Sequence, residues 1–127
     1  MKEIINTQFS FQTIKLYIKL FSLYKSHLLL ISEQQDMDIG SVTLASPSVI
    51  EGMKPSSTSY MLFGVKNKLI TQVISERTSL ALKTPVLLIF HLISDVKEET
   101  LIKPLMSFIK NSIEEFITKK RDAESGI

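Results

Sequence analysis

The chain has 127 residues, enough for one hydrophobic core and too few for two domains. Hydrophobic residues make up 44% and charged residues 22%, which excludes a disordered chain, and fifteen Lys+Arg against thirteen Asp+Glu leave a formal charge of +2 that selects no nucleic-acid partner. With no cysteine there is no disulfide frame, no thiolate nucleophile and no Cys-based zinc site, so the cytoplasm or the nucleus is the expected compartment.

The first clear pattern is Ile14, Leu16, Ile18 and Leu20 alternating with Lys15, Tyr17 and Lys19. That period of two predicts a strand over Ile14 to Tyr24, and a weaker alternation over Gln8 to Thr13 predicts a short strand before it. Lys15, Lys19, Lys25 and His27 interrupt the apolar stretch Ile14 to Ile31, which excludes both a spanning helix and a secretory leader, so no membrane partner is expected. Leu28, Leu29, Leu30 and Ile31 form a short run that suits a central strand buried on both faces. The polar segment Gln34 to Gly40 predicts a turn, and Ser41 to Ala45 then alternates Val42 and Leu44 with polar residues, which predicts a hairpin between these two strands.

Ser46 to Ser59 holds Pro47, Gly52 and Pro55 among serines, a composition that resists ladders and helices and predicts the longest loop. Tyr60 to Gly64 reads as a strand. Asn67 can then cap a helix with the stripe Leu69, Ile70, Val73, Ile74, Leu80 and Ala81, ending near Lys83 ahead of Pro85. Val86 to Leu92 is apolar on both faces and predicts a second central strand. A final helix carries Leu101, Leu105, Phe108, Ile109, Phe116 and Ile117, with Glu98 and Glu99 near its N-terminus and regular helix expected only shortly before Pro104. This order predicts an α+β domain: an antiparallel sheet of about five to six strands with two helices on one face. The second face is left open for dimerisation, with Tyr17, Phe21, Leu23 and His91 as the candidate interface.

Residues that could carry chemistry are sparse. His27 and His91 sit in or beside apolar strands without a nucleophile or carboxylate at a fixed offset, which favours local packing over catalysis. Asp36, Asp38 and Gly40 lack the further oxygen ligands of a calcium loop, and Gly40, Gly52, Gly64 and Gly126 are too widely spaced for a phosphate-cradling motif. No enzymatic activity, metal or cofactor is expected. Lys15, Tyr17, Lys19 and Phe21 could present a basic aromatic face to single-stranded nucleic acid, but the remaining charges do not extend it. A solvated or dimer-facing strand with lysine stems over apolar surface is the simpler reading.

Small segments from Ser26 onward resemble the proteasome assembly chaperone 3 family. They are Ser26-His27-Leu28-Leu29, the Gln34 to Gly40 turn, Leu44 with Pro47-Ser48-Val49, Lys54-Pro55, Thr58, Leu62 with Gly64, Leu69-Ile70 and Val86-Leu87-Leu88. Together they span about three quarters of the chain. Ser57-Thr58-Ser59 and Pro85 to Leu92 also suit the sister family, proteasome assembly chaperone 4. The resemblance implies a small α+β chaperone that pairs with a copy of itself or with a chaperone 4-like partner. Such a protein binds proteasome α subunits while the α-ring of the 20S proteasome is built. It implies no active site and no cofactor. In the loop, Pro47, Ser48, Val49, Lys54 and Pro55 are the candidate partner-binding residues, since loops on a rigid scaffold often carry binding. A small trafficking-type adaptor has a similar pattern and remains the alternative.

Overall fold

The computed structural model describes residues 1–47, 56–61 and 68–124. The elements in chain order are β1 (Lys2–Phe11), β2 (Ile14–Ser22), β3 (His27–Ser32), β4 (Ser41–Ser46), β5 (Ser56–Met61), α1 (Lys68–Leu82), β6 (Val86–His91) and α2 (Glu98–Glu124). The six strands form one sheet in the order β1-β2-β3-β6-β4-β5. All neighbours pair antiparallel except β3 and β6, which run parallel with Leu29 beside Leu88 and Ile31 beside Phe90. The fold class is α+β, as the pattern predicted.

The expected β3–β4 hairpin does not form. β6 enters between them, so β4 pairs with β6 and β5 instead. The reason is apolar demand: Val86 to Phe90 and Leu28 to Ile31 are the two runs that want neighbours on both sides, and together they occupy the middle of the sheet. β1 is also longer than predicted, because Ile4, Ile5, Phe9 and Phe11 add a ladder along the whole of β2, with a register shift between Glu3 and Ile5. Gln12 turns this hairpin at φ 54°, the positive value that two-residue hairpins require at their first central position. β5 starts at Ser56, so Ser56 to Ser59 belong to a strand rather than the predicted loop. Its serines have little strand propensity, and the ladder to β4 decides their conformation. Asn67 and residues 62–64 lie outside the described residues.

Both helices pack on one face of the sheet. The core joins Ile14, Leu16, Ile18 and Leu20 of β2, Leu29 and Ile31 of β3, and Val86, Leu88 and Phe90 of β6 to Leu101, Leu105, Ile109 and Ile113 of α2. Each fully buried Leu or Ile of this set contributes about 1.5–3 kcal/mol. Phe9 packs its ring 5.1 Å from that of Phe108, which anchors α2 over β1. α2 begins at Glu98, six residues before Pro104, so the helix starts earlier than its proline suggested. The Glu98 carboxylate does not serve its own helix alone: Ile70 N–H donates to Oε1 at 2.5 Å, so Glu98 caps the first turn of α1.

The phase of α1 departs from the predicted stripe, and β4 buries its smaller residues. In β4 it is Ser41, Thr43 and Ala45 that are buried beneath α1, while Val42 and Leu44 face the other way. In α1 the buried set is Ile70, Thr71, Ile74, Ser75, Thr78 and Ser79, and Leu69 and Leu80 are 52% and 57% exposed. The buried hydroxyls of α1 are mostly satisfied at short range: Thr71 donates to the Lys68 carbonyl, Ser75 to that of Gln72 and Ser79 to that of Thr84. Small side chains on both elements let the helix sit close to the sheet, and the larger apolar residues are turned outward. α1 stops at Leu82 with Lys83 at φ 58°, the left-handed conformation that closes a helix C-terminus.

Candidate interaction face

The strand registers fix which side chains share the face away from the helices, because directly paired residues lie side by side. One row runs Phe21, Leu28, Leu87, Leu44, and the next runs Lys19, Leu30, Ile89, Val42. A third row, at the far end, holds Tyr17, Ser32 and His91. Tyr17, Phe21, Leu28, Leu30, Val42, Leu87 and Ile89 are half-buried, and Leu44 is 47% exposed. Among the described residues no helix covers this face. It is a nearly continuous apolar surface crossing four strands, far beyond the scattered apolar residues of an ordinary protein surface.

Of the four residues the sequence nominated for an interface, Tyr17, Phe21 and His91 stand on this face. Leu23 follows the last residue of β2, in the turn where its N–H donates to the Ser26 carbonyl at 2.9 Å. The central members of the patch are Leu30 and Ile89, which lie inside the two runs read as buried on both faces. Val42 and Leu44 belong to the patch as well, on the side of β4 opposite the buried Thr43 and Ala45.

His91 is held at the rim of the patch. Gln34 N–H donates to Ser32 Oγ at 2.9 Å, and Ser32 Oγ shares a second hydrogen bond with His91 Nδ1, also at 2.9 Å. The other ring nitrogen, Nε2, lies 4.0 Å from Asp38 Oδ2. Ser, His and Asp thus come together, but Ser32 is fully buried, and its Oγ is already engaged in two hydrogen bonds. The arrangement ties the ends of β3 and β6 to the segment entering β4. Gly40 belongs to the same clamp: a Cβ there would stand 2.6 Å from the Phe90 carbonyl oxygen, so only glycine allows this approach.

Glu33 closes the same end of the sheet. Its carboxylate accepts from Ile93 N–H at 2.7 Å, Ser94 N–H at 2.6 Å and Ser94 Oγ–H at 2.7 Å. Partial burial pushes its pKa up, but the hydrogen bonds from Ser94 and Ile93 and the nearby His91 outweigh this and hold it below the ordinary glutamate range. His27, at the opposite end of β3, pairs Nδ1 with Thr84 Oγ1 at 2.7 Å, and burial, then the charge of Lys120, lower its pKa. Among the described residues no group of three or more His, Cys, Asp or Glu is disposed to hold a metal, and no helix is long and apolar enough to cross a membrane. In the loop candidate set, Pro47 follows β4 directly, and Ser48, Val49, Lys54 and Pro55 lie outside the described residues.

No protein-family model matches the sequence, and no curated protein matches it. A solved structure does. The chain superposes with a TM-score of 0.56 and 13% identity on a chain from the crystal structure of a novel chaperone complex for yeast 20S proteasome assembly, covering 88% of this protein and 97% of that chain. At that identity the likeness establishes a shared fold.

Proposed function

We propose that this protein is a non-enzymatic assembly chaperone that dimerises through its open sheet face and binds proteasome α subunits while the 20S α-ring is built. The observation that carries the proposal is the uncovered apolar sheet face, on a fold shared with a chain of a yeast complex for 20S proteasome assembly. Such a face, flat and crossing four strands, is suited to burial against another sheet. The partner on that face is a second copy or a chaperone 4-like relative. Lys19 is flanked by Leu30 and then Ile89 rather than by further cations, which favours a protein surface over the phosphates of single-stranded nucleic acid. The segment Pro47 to Pro55, between β4 and β5 in the chain, contributes to α-subunit binding, since a loop on a rigid scaffold often carries binding.

The test uses the full chain with individually purified proteasome α subunits, measured by isothermal titration calorimetry and native mass spectrometry. One or more subunits should bind at a Kd of about 10 µM or tighter. Replacing Val49 to Lys54 by a short Gly/Ser linker should weaken that binding with the fold intact. A chain that binds none of the α subunits, alone or with a chaperone 4-like partner, overturns the proposal. Unchanged α-subunit affinity in the linker variant removes the loop from it.

A further inference from the structure

α1 and α2 pack against each other and leave a groove of about 650 Å³ on their outer side, away from the sheet. Its apolar lining is Val73, Leu80, Ala81, Ile102, Met106, Ile113 and Ile117. The turned phase of α1 leaves Val73, Leu80 and Ala81 outside the core, while Ile102, Met106 and Ile117 are half-buried against its edge. Arg77, Lys103 and Lys110 stand around them. At Ala81 and Ile117 the groove runs into a second hollow of about 330 Å³, lined also by His27, Phe116, Lys120 and Arg121. Among the described residues, five Lys or Arg side chains and one carboxylate, Glu114, therefore border these two adjoining hollows. The local charge is five minus one, or +4, on a chain whose total is +2, so the remainder of the molecule carries −2.

From this we infer that the α1/α2 groove is a docking site for an acidic amphipathic helix of a partner protein, distinct from the open sheet face. Its apolar lining takes the partner's apolar stripe, and Lys103, Lys110 and Arg77 on one stretch, with Lys120 on the next, pair with its flanking carboxylates. Ile102 to Arg121 rise about 28 Å along α2, which matches a helix of about five turns. An aliphatic lining with Phe116 as its one benzene ring gives successive bases little to stack on, and a concave surface is poorly shaped for a lipid bilayer; a helix fits both features.

The probe is a fluorescein-labelled amphipathic peptide of about 18 residues, leucine on one stripe and glutamate on the flanks, titrated with the full chain and followed by anisotropy. It should bind, whereas the same peptide with lysine for glutamate should not. Lys103→Glu with Lys110→Glu, both at exposed positions, should weaken binding about 30-fold while circular dichroism stays unchanged. Backbone amide shifts should move around Leu80 and Met106 and stay still around Leu30 and Ile89. The inference is overturned if the peptide does not bind, if the double variant binds it equally well, or if the shifts map to the sheet face. It is equally overturned if (dT) oligonucleotides or phosphatidylserine vesicles bind this groove while the peptide does not. Because no proteasome subunit is used, failure here leaves the α-subunit reading untouched.

Discussion

Ile89→Glu tests the open face most directly. Ile89 lies in the middle row of the patch between Leu30 and Val42, half-buried, with its side chain directed away from the core. Eight side chains make the patch: Tyr17, Phe21, Leu28, Leu30, Val42, Leu44, Leu87 and Ile89. Each keeps only a minor part of its surface in water, roughly 40 Å², so sealing it yields about 1 kcal/mol, or about 8 kcal/mol per protomer and about 16 kcal/mol for two. Lost rigid-body freedom and side-chain ordering remove about half of that, leaving a dimer of about micromolar Kd. A glutamate at 89 forfeits its share and places a carboxylate in a dry interface, about 2–3 kcal/mol in all. In a two-fold dimer the same residue enters twice, so the loss doubles to about 4–6 kcal/mol, a thousandfold or more in Kd. The isolated protomer keeps the charge in water, so its fold should be retained. Sedimentation velocity between about 1 and 100 µM reads the equilibrium, with far-UV circular dichroism as the control. A wild type that sediments as a monomer throughout, or a folded variant whose Kd lies within tenfold of wild type, refutes the reasoning.

Four other substitutions probe how the ends of the elements are held. Gly40→Ala should destabilise by about 2 kcal/mol, because its Cβ would press on the backbone carbonyl of Phe90, which has no side-chain freedom with which to yield; chemical denaturation measures it, and an unchanged midpoint contradicts the close approach. Lys83→Gly should stabilise by about 0.5–1 kcal/mol by relieving the left-handed backbone at the end of α1, visible as a higher Tm. Glu33 has a folded pKa below its unfolded value, so the stability it adds is present above the ordinary glutamate pKa and is lost as pH falls through the folded one. Glu33→Gln should therefore lower Tm near neutral pH and narrow its gap to wild type in acid below the ordinary glutamate range; a gap that widens in acid has the wrong sign. Thr78→Val should raise stability by about 1 kcal/mol, since Thr78 Oγ1 is buried without a hydrogen-bond partner and valine keeps its shape.

The elements themselves were legible wherever a period was strong. Ile14 to Leu20 showed a strand buried on one face, Leu28 to Ile31 and Val86 to Phe90 showed the middle of the sheet, and the stop of α1 ahead of Pro85 followed from local chemistry. Pairing was not legible, because β4 carries only Val42 and Leu44 as large apolar residues and nothing local says whether its neighbour is β3 or β6. β5 was legible only at Tyr60 and Met61, because its serines take a strand conformation only where β4 offers a ladder.

The phase of α1 was misread, and that of β4 left open, for a deeper reason that bears on function. A period of two or of 3.6 shows that one side of an element differs from the other, and the larger apolar residues are assigned inward by default. A protein that uses its outer surfaces for binding breaks that default, because an interface and a core ask for the same side chains. Here β4 turns Val42 and Leu44 to the open sheet face and α1 turns Leu80 and Val73 to the helix groove, and between them Thr43, Ser75, Thr78 and Ser79 form a thin, close-packed layer. Stability alone would favour the opposite arrangement, with the leucines and valines buried and the hydroxyls in water. The folded chain keeps them outside on both sides of the same two elements, and that placement is what the two proposed docking surfaces require.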